Sequence, residues 1–136
     1  NEGSIWESFA IANAYNLSNL IAVVDRNNLQ ANVRTEDLIP LEPLSEKLEA
    51  FGWNVYNCDG HDFVDINEIF SNIILSKSKK PSIVIAHTLR GKGLPSIEDD
   101  PKRWFVHFTK DEASMLKKEL AGGKKTIFTS EELLIR

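Results

Sequence analysis

A single cysteine, Cys58, in a chain of 136 residues excludes an internal disulfide, and no pair of Cys and His residues stands at zinc-ligand spacing. A reducing, cytoplasmic setting is the expectation. Basic residues are in deficit, 16 Lys plus Arg against 20 Asp plus Glu. The formal net charge of -4 offers no positive field to a polyanion, which speaks against nucleic acid as a partner. No apolar run approaches the roughly 18 to 20 residues of a membrane span, and no basic start leads into an apolar leader, so a soluble protein with no membrane partner is expected. What is present is 42% hydrophobic residues, enough for one compact core but not two. The chain opens Asn1-Glu2-Gly3-Ser4, without methionine and straight into a helical pattern, and reads as a piece of something longer.

Ile5, Phe9 and Ala12 recur at helical spacing, predicting a helix from Ser4 to about Asn16 with Ser4 as its cap and Glu7 in its first turn. Leu20-Ile-Ala-Val-Val-Asp25 is too short for a helix and rich in β-branched residues, which predicts a strand buried on both faces and ending on a carboxylate. Arg26 to Pro43 is a polar, ordered excursion. Leu44 to Phe51 reads as a helix stopped by Gly52, and Trp53 to Asp59 as the next strand. Asp62 is placed to cap a helix whose apolar face runs through Phe63, Ile66, Ile69, Phe70, Ile73 and Ile74. Ser82 to His87 is a third buried strand, followed by a long loop from Thr88 to Phe108. Thr109-Lys-Asp-Glu112 is a capping box, and Thr129-Ser-Glu-Glu132 marks a final short helix. Strands alternating with helices predict an α/β fold, a parallel sheet with helices on both faces. Ligands of such sheets bind beyond the carboxyl ends of the strands, where the loops after Asp25 and His87 both lie.

Asp25-Arg-Asn-Asn-Leu29 leaves the first strand with a carboxylate, two side-chain amides and backbone carbonyls, hard oxygen donors suited to magnesium or calcium. The competing reading is that asparagines there only make turns. Arg90-Gly-Lys-Gly93 offers two cations on a glycine backbone, suited to a phosphate or anion contact and equally to a solvated turn. Glu2 is a carboxylate at a positive helix end, and neither His61 nor His107 has an identifiable catalytic partner. Trp6, Trp53 and Trp104 are packing candidates, with Trp104 in a loop.

Several stretches taken together resemble the thiamine-diphosphate-binding domain of transketolases, in the split bacterial form whose N-terminal half is a separate chain. They are Asn1-Glu-Gly-Ser-Ile-Trp-Glu7, Ile21-Ala-Val-Val-Asp-Arg-Asn-Asn-Leu-Gln30, Leu41-Glu-Pro-Leu44, Phe51-Gly-Trp53, Asp59-Gly-His-Asp62 and Ala86-His-Thr-Leu-Arg-Gly-Lys-Gly93. The resemblance runs from Asn1 to about Trp104. It implies that residues 1–136 are the later part of such a domain, with a Gly-Asp-Gly segment upstream and a pyrimidine-binding domain on a complementary subunit. It also implies thiamine diphosphate and Mg2+ or Ca2+ as cofactors, with Asn27 and the Leu29 carbonyl on the metal and Glu2, Gly3, Asn27 and Leu29 around the cofactor. Glu2 resembles the carboxylate tied to proton exchange near the subunit interface. His107 is the nearest match to the family's histidine of the second loop, about three residues late. The implied activity is transfer of a two-carbon ketol unit between sugar phosphates by a homo- or hetero-oligomer. A different ketose or acceptor, and a non-catalytic α/β interaction module that lost the cofactor site, are the alternatives.

Overall fold

A computed structural model of the chain describes residues 2–104 and 107–122, and the chain forms two compact units, Asn1–Leu89 and Arg90–Arg136. The first holds a three-stranded parallel sheet built from β1 (Ile21–Arg26), β4 (Asn54–Asp59) and β5 (Ser82–His87) in the order β1-β5-β4. Between β1 and β4 lie a two-stranded antiparallel hairpin of β2 (Leu29–Gln30) and β3 (Val33–Arg34), then helices α2 (Thr35–Leu38) and α3 (Leu44–Ala50).

β5 is the centre of the sheet, and its alternating side chains seed a core on each face. Ile83 and Ile85 pack with Leu44 and Leu48 of α3, with Trp53, and with Ala12 of α1 (Gly3–Ala14). Val84 points the other way, with Cys58 and with Ile73 of α4 (Phe63–Leu75), joined by Ile66, Ile69 and Phe70. Helices therefore cover both faces, as the alternation of elements predicts. Burying each of these aliphatic side chains is worth about 1.5–3 kcal/mol. A ring cluster of Trp6, Phe9, Phe51 and Trp53 closes the first core, and the Trp53 indole N–H donates to the Phe9 carbonyl at 2.9 Å, tying α1 to the start of β4. Gly52 ends α3 at φ +87, and a Cβ there would lie 2.5 Å from the Asn13 side chain, so the turn and its packing both need glycine.

Three expectations are corrected. The α1 cap is Glu2, not Ser4: Ser4 lies inside the helix and its hydroxyl donates to Glu2 Oε1 at 2.9 Å. β1 is not buried on both faces, because it is an edge of the three-stranded sheet and Val23 stays 57% exposed. Phe63 and Ile74 do not join the apolar face of α4: they are 87% and 75% exposed, while Ile66, Ile69, Phe70 and Ile73 meet the sheet. Asp62 caps α4 as predicted, accepting from the Val64 and Asp65 N–H groups.

The second unit carries the loop after β5, a 3-10 turn at Pro101–Arg103 and α5 (Lys110–Leu120). Thr109 and Glu112 form the predicted capping box in full. The predicted helix at Thr129 lies outside the described residues. Among the described residues, no helix is long and apolar enough to cross a membrane.

Candidate cofactor site at the carboxyl edge of the sheet

The parallel strands end level. Asp25 of β1 pairs with Ala86 of β5, Arg26 with His87, and His87 with Asp59 of β4 on its other side. Level ends put the exits of β1, β4 and β5 side by side. The Gly60 N–H donates to the His87 carbonyl at 2.8 Å, the Leu89 N–H to His61 Nε2 at 2.8 Å, and His87 Nε2 lies 3.0 Å from Asn57 Oδ1. His61 thus has a structural role as an acceptor, fixing the start of the loop after β5.

At the tip of β1, Asn27 Nδ2 donates to Asp25 Oδ2 at 3.0 Å, and Asn27 Oδ1 accepts from the Leu29 N–H at 2.9 Å. The other Asp25 oxygen accepts from the Thr88 hydroxyl. Asn28 follows in the left-handed region at φ 60, a conformation asparagine tolerates. The Thr35 N–H donates to the Asn28 carbonyl at 2.9 Å while Leu29 stands opposite Arg34. In that arrangement the Leu29 carbonyl points away from the partner strand and out of the ladder. A hollow of about 180 Å3 opens here, lined by Asp25, Asn27, Asn28, Leu29, Thr35 and Leu41 among others.

Arg26 sits behind this tip with its side chain only 5% exposed. Its guanidinium donates to Glu36 Oε1 at 2.6 Å and to Glu42 Oε1 at 2.8 and 3.2 Å. Burial alone would push Arg26 down, but the hydrogen bonds and charges of Glu42 and Glu36 hold it above its ordinary value. Desolvation pushes Glu36 up, yet the Leu41 N–H, Arg26 and the Glu42 N–H together hold its carboxyl below the usual range. Glu42 is held low by the Leu44 N–H and then by Arg26. This triad folds residues 36–44 back onto β1 and shapes the hollow. Sequence reasoning misses Arg26, Glu36, Glu42 and Thr88 as site residues. The signal available for three of them is their place in the resembling stretches, Arg26 in Ile21 to Gln30, Glu42 in Leu41 to Leu44 and Thr88 in Ala86 to Gly93.

Of the other sequence candidates, Glu2 stands at the N-cap position of α1 beside Gly3 without a side-chain capping bond, and no Cβ contact restricts Gly3. His107 is exposed in the second unit. There the two cations of Arg90-Gly-Lys-Gly93 have partners inside their own loop, Arg90 lying 4.8 Å over the Trp104 ring and Lys92 Nζ 3.6 Å from Glu98. The turn reading of that segment accounts for both.

Among the described residues, no group of three or more His, Cys, Asp or Glu side chains could hold a metal ion. The donors at the β1 tip are instead an amide oxygen and a main-chain carbonyl. The Asn27 oxygen keeps one lone pair after accepting from Leu29, and the Leu29 carbonyl is outside the ladder, so both fit a hard divalent cation. Two such donors are fewer than the six that magnesium takes, so they could supply only part of a coordination shell.

The sheet, with helices on both faces and oxygen donors at its carboxyl edge, defines an α/β ligand-binding domain. The family model for the transketolase thiamine diphosphate binding domain matches residues 1–134, and the chain belongs to that family. It is 41% identical over 97 residues to one subunit of the apulose-4-phosphate transketolase of Phocaeicola vulgatus, covering 71% of this chain and 34% of that one. It is likewise 41% identical over 95 residues to one subunit of the 6-deoxy-6-sulfo-D-fructose transketolase of a Clostridium species, covering 68% of this chain and 34% of that one. A Pichia stipitis transketolase variant solved with xylulose 5-phosphate shares the fold, with a TM-score of 0.76 at 22% identity over 88% of this chain and 18% of that one. The chain thus spans 34% of the length of each of these two curated relatives.

Proposed function

We propose that the intact protein is a transketolase-type transferase that moves a two-carbon ketol unit between sugar phosphates, and that residues 1–136 supply the diphosphate end of its cofactor site as part of a larger domain. The observation that carries this reading is the pair of outward oxygen donors, Asn27 Oδ1 and the Leu29 carbonyl, at a strand tip in a member of this family. In this reading both hold Mg2+ or Ca2+. A cation held by these donors would offset the repulsion between the Asp25 carboxylate and a diphosphate bound at this tip. When bound, thiamine diphosphate supplies the carbanion chemistry of ketol transfer. Asn27 and Leu29 orient its diphosphate, Gly3 admits close backbone approach, and Glu2 and His107 are assigned to proton handling. Relatives named as single subunits of transketolases support a complementary chain that completes the site within an oligomer. A cytoplasmic setting keeps the lone thiol of Cys58 reduced.

The ketose is the variable part of the reading. Two relatives at the same 41% identity carry different sugars in their names, which favours a non-standard ketose as readily as a common one. Calorimetry of thiamine diphosphate with magnesium, on the intact protein mixed with its complementary chain, tests the proposal. Metal-dependent binding is expected, and Asn27→Ala should weaken it by about 1.5–3 kcal/mol through loss of a charge-assisted contact. Absence of metal-dependent binding in the wild type overturns the function, and an unchanged affinity in Asn27→Ala returns that residue to turn formation alone.

A further inference from the structure

An asparagine amide is nearly symmetric in shape, so which end faces a cation is decided by its hydrogen-bond partners. At Asn27 the partners leave one choice: a carboxylate oxygen of Asp25 can only accept, so the Asn27 nitrogen turns to Asp25 and the oxygen turns to the Leu29 N–H. Asp25 is itself held, because its second oxygen takes the Thr88 hydroxyl. Thr88 is in turn fixed from two sides. Its N–H reaches the Arg26 carbonyl at 3.4 Å, and its methyl lies against Gly60 so closely that a Cβ at 60 would come within 2.4 Å of Thr88 Cγ2. With the methyl seated on the exit of β4, a β-branched side chain has its hydroxyl directed elsewhere, here to Asp25.

We infer that Thr88 and Asp25 are positioning residues that set the Asn27 amide with its oxygen toward the cation, so that the exits of β4 and β5 hold a metal ligand carried by β1. This rests on the metal assignment of Asn27 proposed above. Partners that orient a ligand in this way typically change metal affinity about 10- to 100-fold when removed.

Thr88→Val exchanges the hydroxyl for a methyl at similar volume, Thr88→Ser keeps the hydroxyl, and Asp25→Ala removes the acceptor from an exposed position should Thr88→Val not fold. The first readout needs no metal: hydrogen exchange at the Leu29 amide of the intact protein, whose acceptor is Asn27 Oδ1. Exchange should quicken about tenfold in Thr88→Val and Asp25→Ala, stay near wild type in Thr88→Ser, and leave Ile83 to Ile85 unchanged. The second is the magnesium concentration needed for thiamine diphosphate binding in the complete assembly, which should rise about tenfold or more in the same two variants. Wild-type exchange at Leu29 in Thr88→Val, or in Asp25→Ala where that one is used, overturns the inference whatever magnesium does. A wild-type magnesium requirement in the variants overturns it while the cofactor reading stands. A wild type without magnesium-dependent binding overturns the cofactor reading, and the role toward a cation with it.

Discussion

Gly60→Ala tests the close approach of the strand exits. A Cβ at this position would lie 2.4 Å from Thr88 Cγ2, 3.1 Å from the His87 carbonyl oxygen and 3.2 Å from Ala86 Cβ. Comfortable carbon contacts are about 3.5–4.0 Å, so the Thr88 methyl must move by more than an ångström and the β5 main chain by a few tenths. Overpacking of this kind costs about 1–3 kcal/mol. Alanine in place of glycine returns about 0.4–1 kcal/mol by restricting the unfolded chain, leaving a net destabilisation of roughly 1–2 kcal/mol. Thr88→Ser removes the worst contact, so the double variant Gly60→Ala/Thr88→Ser should recover most of the loss. A double-mutant cycle from urea unfolding of the intact protein reads this coupling directly. If Gly60→Ala proves as stable as wild type, or the second substitution restores nothing, β4 and β5 do not approach as described and Gly60 is no seat for the Thr88 methyl.

Trp53→Phe keeps the ring in the α1 core but loses the indole bond to the Phe9 carbonyl, and should lower stability by about 1–2 kcal/mol in urea unfolding; a wild-type midpoint would show that this link carries nothing. Glu36 and Glu42 have folded values below their ordinary 4.5, so the unfolded chain binds more protons as pH falls. Their contribution is therefore complete above about pH 4.5 and lost as pH drops through the lower folded values. Stability measured from pH 6 to 3 should accordingly fall less steeply in Glu36→Gln/Glu42→Gln than in wild type, and equal slopes would contradict the triad.

The parts of the fold legible in the sequence are those set by local chemistry. Asp62 and Thr109 cap their helices through N–H groups two and three residues on, a span any reader of the chain can see. The apolar run of β5 announces a buried strand because its place at the centre of the sheet buries both faces. β1 carries the same kind of run but occupies an edge, and strand order is a property of the whole chain that no run of six residues encodes. The β2–β3 hairpin escapes notice for another reason. Its turn has Ala31 at φ 52, and alanine gives no sign of a left-handed conformation. Arg26 is the clearest case: a charged residue reads as exposed unless its partners are known, and they lie 10 and 16 residues further on.

At the site, the sequence leaves two readings of Asn27 open, a turn former or a metal ligand, and the geometry shows why neither residue type nor spacing could choose. The amide nitrogen and one oxygen lone pair do what turn asparagines do, holding Asp25 and the Leu29 N–H. The register that follows, Leu29 opposite Arg34, turns the Leu29 carbonyl out of the β2–β3 ladder, and the Leu29 N–H takes only one lone pair of Asn27 Oδ1. Turn formation is thus the means by which two hard-oxygen donors come to the same strand tip. A test of stability in Asn27→Ala alone would register the lost turn under either reading. Only the dependence of cofactor affinity on magnesium separates them, because the turn bonds form with or without the ion.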